Sequence, residues 1–167
     1  MNKAKDELKK QFWNQFIKAK VSGYENIYAD NSITSKKGIV KQTEFSGVSV
    51  YVNLNQNSVN VTLVIYSSPN VPEKSKLSKD ERNAISLEQN IRIFEHLKQN
   101  SNEIQKHFSE QIYWKESDYI RKTAIISNDS WQYEKQSEWD NINAYLIKNS
   151  YLLKESVEKV LLNYETS

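Results

Sequence analysis

The sequence predicts an α+β fold: an antiparallel sheet of about four strands with helices packed on one face. Three observations lead there. Residues 47–66 alternate between apolar and polar side chains, the period of a half-buried strand. A short polar run, Asn55-Gln56-Asn57, divides that stretch into two strands and marks a hairpin. The segments on either side repeat apolar residues every three or four positions, as helices do. A sheet with one apolar face needs a covering layer, and the flanking helices supply it.

Taken in order, residues 4–21 read as an amphipathic helix carrying Leu8, Phe12, Phe16 and Ile17, with Trp13 beside them, closed by Ser22-Gly23. Lys36-Lys37-Gly38 reads as a turn between a short strand at Ser32-Ile33-Thr34 and a firmer one over residues 39–43. In the hairpin, Val48, Val50, Val52 and Leu54 share a face with Val59, Val61, Leu63 and Ile65. Its connection lacks the Asn-Gly of a tight turn, so a loop of three to five residues is expected. Residues 67–78 hold both prolines and read as a long loop.

Ser78-Lys79-Asp80-Glu81 is a capping box. It opens a helix to about Gln99 with Ile85, Ile91, Phe94 and Leu97 as core positions. Asn100-Ser101-Asn102-Glu103 repeats the capping pattern before a shorter helix with Ile104, Phe108 and Ile112. Residues 119–127 read as a fourth strand, with Ile120, Ala124 and Ile126 on one side. Asn128-Asp129-Ser130 then caps a helix to about Lys148, and Asn149-Ser150 breaks it before a last helix with Leu153, Val157, Val160, Leu161 and Tyr164. At 167 residues the whole chain is expected to form one domain.

Composition narrows the function classes. There is no cysteine, which removes disulfides and thiolate metal sites and fits a reducing cytoplasm. No run of eighteen apolar residues exists, and the first residues lack the apolar stretch of a signal peptide, so no membrane role is expected. Net charge is only +2, but residues 1–86 carry 13 basic and 8 acidic side chains against 10 and 13 in the remainder. A mildly basic half suits a phosphate-facing surface.

The common catalytic arrangements are missing. Three glycines cannot build a phosphate-cradling loop. His96 and His107 are eleven residues apart, not the four of a helical zinc pair. The acid-x-Lys element of metal-dependent nucleases occurs only as Glu7-Leu8-Lys9, inside the first helix. No catalytic, cofactor or metal residue is therefore assigned. What remains is recognition chemistry. Lys36, Lys37 and Lys41 form a basic cluster at a hairpin tip, Tyr51 and Tyr66 lie on the non-core face of the hairpin, and Trp114 stands near Arg121 and Lys122.

The order of several features is also informative. Phe12-Trp13-Asn14-Gln15-Phe16 comes first, then the strand Val59 to Ile65, Phe94-Glu95-His96-Leu97, Glu103-Ile104 and Tyr113-Trp114. A strand of the type Arg121 to Ser127 and a Trp-containing final helical region follow. Over most of residues 8–160 this resembles a bacterial and archaeal family of unknown function, found alone or as the C-terminal domain of restriction-endonuclease-like proteins. The resemblance implies an α+β domain linked to restriction or another defence against foreign nucleic acid, and any nuclease signature would belong to a separate N-terminal domain. The expectation is a non-catalytic binding or accessory domain whose partner is nucleic acid or a protein of a defence system. Two alternatives accompany it. One is a divergent metal-dependent nuclease assembled from Glu44, Glu103 and Asp129. The other is a homodimer built through an exposed sheet face or strand edge.

Overall fold

The structure, a computed structural model, describes residues 2–33, 37–67, 76–117 and 119–166. Its elements are α1 (Lys3–Phe16), β1 (Gly38–Gln42), β2 (Val48–Leu54), β3 (Val59–Ile65), α2 (Lys79–Gln99), α3 (Ser101–Gln105), β4 (Tyr113–Lys115), β5 (Lys122–Asn128) and α4 (Trp139–Thr166). The fold is α+β as expected, with five strands rather than about four. They are antiparallel throughout, in the order β1-β2-β3-β5-β4.

The hairpin pairs Val48 with Ile65 through Leu54 with Val59. Every second residue of β2 and β3 is buried. Residues 55–58 close it as a four-residue loop, with the Asn55 amide donating to the Ser58 carbonyl at 2.9 Å. β4 is the additional strand. Its three residues pair with Thr123, Ala124 and Ile125 of β5, a long-range partnership that a three-residue pattern does not announce. Residues 32–33, expected in a short strand with Thr34, are outside the sheet, and residue 34 lies outside the described residues. So do residues 68–75, most of the expected loop after β3.

The helices cover one face. The aromatic stripe of α1 buries Phe12, Trp13 and Phe16, and Phe12 meets Trp139 of α4 edge-to-face at 5.4 Å. α1 stops at Phe16, before the Ser22-Gly23 expected to close it. The Asn26 side-chain amide caps the Phe16 and Ala19 carbonyls at 2.8 and 3.1 Å, which satisfies the helix end early. Gly23 instead takes a left-handed φ of +87° in the turn between Val21 and Tyr24. The Tyr28 hydroxyl reaches across the core to the Val50 carbonyl, 2.9 Å away.

The Ser78 capping box is formed as expected: the Glu81 amide donates to Ser78 Oγ, and the Ser78 amide to the Glu81 carboxylate. The buried stripe of α2 is Ser86, Asn90, Phe94 and Leu97, whereas Ile91, expected in the core, is exposed. Asn90 holds its buried position because it bonds the sheet ends. Asn90 Oδ1 accepts from the Ser67 amide and hydroxyl, and Asn90 Nδ2 donates to the Ile120 carbonyl at 2.9 Å. A buried amide with its bonds made costs little.

α3 is only one turn long. Phe108 and Ile112 are buried as expected, but from a loop. The Gln105 side chain fastens that loop, donating to the Glu110 carbonyl and accepting from the Ile112 amide. α4 begins at Trp139, not at residue 131, and runs unbroken through Asn149-Ser150. Asn149 donates to the Tyr145 carbonyl and Ser150 to the Ile147 carbonyl, so both polar side chains bond back into their own helix instead of ending it. At 1.5 Å per residue the result is a helix of about 42 Å that crosses β2 and β3.

Candidate functional site: the open sheet face

Alternation gives every strand a second face, turned away from the helices. Strand pairing assembles that face in rows. Val40, Tyr51, Thr62, Ile125 and Tyr113 make one, and Gln42, Ser49, Val64, Thr123 and Lys115 the next. The same register continued by one residue brings Tyr66 beside Arg121. The Arg121 guanidinium lies over the Tyr66 ring, 5.5 Å from its centroid, in a cation–π contact. Tyr113 and Tyr66 are 63% and 55% exposed, and Tyr119, in the β4–β5 connection two residues before Arg121, is 77% exposed. They are the three most exposed aromatic side chains among the described residues.

Among the described residues, neither Arg121 nor Lys115 makes an ion pair, and this face includes no carboxylate. Burial raises the Tyr51 hydroxyl pKa, and the positive charge of Arg121 acts against that rise. The Tyr51 ring rests on Gly38. A Cβ there would stand 2.7 Å from the ring and 2.2 Å from the Val52 carbonyl oxygen, so the strand needs glycine at that point. Near the same end, Asn53 and Asn60 stand directly opposite one another with buried Oδ1 atoms that accept no hydrogen bond from the described residues.

The eight residues expected on a binding surface therefore separate. Tyr51, Tyr66 and Arg121 come together on the open face. Lys41 sits on the opposite side of β1, donating to Asp30 at 3.0 Å. Trp114 also faces the helices and meets the Phe94 ring at 5.8 Å. Lys122 is buried, because its register with Ile65 turns it inward, and its ammonium donates to the Ser117 carbonyl. Lys37 is exposed just before β1, and Lys36 lies outside the described residues. Sequence reasoning missed Tyr113, Lys115 and Tyr119. The alternation Tyr113-Trp114-Lys115 was the available signal, too short to be read as a strand alone.

The nuclease arrangement does not assemble. Glu44 lines a groove of about 430 Å³ with His107, Lys154 and Glu158. Glu103 lines its neighbour of about 150 Å³ with His96, His107 and Lys159. Both grooves run along the second half of α4, whereas Asp129 lies near Tyr145 in the first half, whose pKa is raised by burial, then by Glu110 and Asp129. Ten residues of helix separate the two places by about 15 Å. Among the described residues no group of three or more His, Asp or Glu is placed to hold a metal ion. Among the described residues, no helix is long and apolar enough to cross a membrane. Comparison with family models, curated proteins and solved structures gives no match.

Proposed function

We propose that this chain is a non-catalytic binding domain whose open sheet face takes nucleic acid, acting in the cytoplasm as an accessory to restriction or another nucleic-acid-directed defence. One observation carries the reading. The sheet face left uncovered by helices carries Arg121 and Lys115, exposes Tyr66 and Tyr113, and among the described residues has neither a carboxylate nor an ion pair to those two cations. Cations contact phosphates, aromatic rings stack on bases, and the absence of acids removes local repulsion. The link to defence rests on the family resemblance of residues 8–160.

The charge of the face also bears on the homodimer alternative. Two copies placed face to face would bring four unpaired cations together with no acid from either side, an arrangement that opposes association.

The test is a gel-shift experiment on the full chain at low salt, with single-stranded and duplex DNA and RNA. Retention of at least one of them is expected, weakened tenfold or more by the Arg121→Glu, Lys115→Glu double variant, whose side chains are surface groups and whose melting temperature stays close to the parent's. If none of the four nucleic acids is retained, the reading is wrong.

A further inference from the structure

We infer that the nucleic acid taken by the open face is single-stranded, held mainly by base stacking on Tyr66 and Tyr113 and only secondarily by its phosphates. This rests on the preceding reading and adds the class of ligand.

The first argument is the supply of charge. A duplex hides its base faces and presents its phosphates, so a non-specific duplex binder needs many cations. This face offers two. Two of the other expected cations are engaged elsewhere: Lys41 with Asp30, and Lys122 in the interior with the Ser117 carbonyl. Two phosphate contacts give a single strand a salt slope of about −1.4 in log K against log salt, at roughly −0.7 per contact. That is too little for tight binding by charge alone.

The second argument is the supply of rings. Of the aromatic residues, Phe12, Trp13, Phe16, Tyr28 and Phe94 are consumed by the core, while Tyr66, Tyr113 and Tyr119 stay in solvent. Exposed tyrosines on the solvent side of a sheet are stacking platforms, and every base has a π-face to offer. Arg121 covers one side of Tyr66 and leaves more than half of that residue open, so a base can lie against the ring with the guanidinium beside it. Tyr66 and Tyr113 lie two strands and four residues apart, about 16 Å by sheet geometry. A folded-out strand of on the order of four nucleotides spans that gap, the lower end of what single-strand binding domains cover.

The test is fluorescence anisotropy on the full chain with labelled DNA and RNA strands of one mixed sequence and their duplexes. A single strand of either chemistry is expected to bind at least tenfold more tightly than its duplex, and the DNA and RNA arms show which sugar is preferred. Tyr66→Ser and Tyr113→Ser each weaken binding by about tenfold, Tyr66→Phe and Tyr113→Phe keep it, and the salt slope stays near −1.4. These side chains are exposed, so melting temperatures serve as the control on folding.

Equal or tighter duplex binding would overturn the inference. So would serine variants that bind normally while Arg121→Glu does not, and in both cases the nucleic-acid reading stands. If nothing binds, both fall. A dimer in solution that Tyr66→Ser and Tyr113→Ser dissociate, with no nucleic acid bound, would give the face to a second copy instead.

Discussion

Val61 and Thr62 are neighbours in β3, yet they stand in different solvents. Val61 and Leu63 are completely buried beneath the helices, while Thr62 and Val64 stay half-buried on the open side. The same holds for Val50 beside Tyr51 and for Ala124 beside Ile125. One face of the sheet is filled by apolar side chains and closed by α1, α2 and α4. The other carries amides, hydroxyls, tyrosines and two unpaired cations. Stability therefore resides in one set of residues and, on the proposed reading, recognition in the set interleaved with it, so mutations one position apart are expected to have different phenotypes.

The largest effect tests that separation directly. Leu63→Ala removes a buried side chain from the middle of the core and is expected to cost about 2–5 kcal/mol. For a domain of this size that lowers the melting temperature by on the order of 10 °C. Thr62→Ala, on the open face of the same strand, is expected to cost less than about 1 kcal/mol. Urea titrations of the two variants settle the comparison. Similar midpoints would mean that something covers both faces.

The two faces were not equally legible in the sequence. The core side of β2 and β3 was plain, because a period of two over seven residues leaves only one way to bury eight aliphatic side chains. Tyr51 and Tyr66 followed from the same parity, whereas Arg121 was singled out for its nearness to Trp114, which faces the helices instead. Tyr113 did not, because its place beside Ile125 depends on pairing between segments and β4 is only three residues long. Lys122 was misplaced for a related reason. A lysine at a strand start reads as surface, although it shares the inward parity of Ala124 and Ile126 and pairs in register with Ile65. Asn149-Ser150 misled in the opposite direction. Residues that compete with helix backbone elsewhere here bond to carbonyls three and four positions back and leave α4 whole.

A smaller effect of opposite sign is expected at the amide pair. Asn53 and Asn60 are poor strand formers, and each leaves a buried oxygen without a donor. An unsatisfied buried acceptor costs about 1–3 kcal/mol, and replacing both members of such a pair relieves it. The Asn53→Thr, Asn60→Thr double variant is expected to gain about 1 kcal/mol, a rise of roughly 2–4 °C in melting temperature. The pair lies at the Leu54–Val59 end of the hairpin, away from Tyr66 and Arg121, so affinity for a single strand is expected to be unchanged. A variant that gains stability but loses affinity would extend the binding surface across the whole face.

The smallest effect separates committed cations from free ones. Lys41 donates to both oxygens of Asp30, and its ammonium holds the Asp30 carboxyl below the ordinary carboxylate range. A carboxyl whose pKa is lower folded than unfolded adds stability above its unfolded value. That contribution is lost as pH falls through the folded value, so the window lies below about pH 4. Asp30 is exposed, so the pair is screened by salt and its weight is small. Asp30→Asn is expected to flatten the acid limb of a melting-temperature profile slightly at low salt and to leave it unchanged at high salt. Parallel acid limbs for parent and variant at low salt would show that the pair contributes nothing. Arg121 has no such carboxylate among the described residues, and neutralising it is expected to leave the acid limb untouched while weakening the binding of a single strand. That contrast distinguishes a cation used to hold the fold from one kept for a ligand.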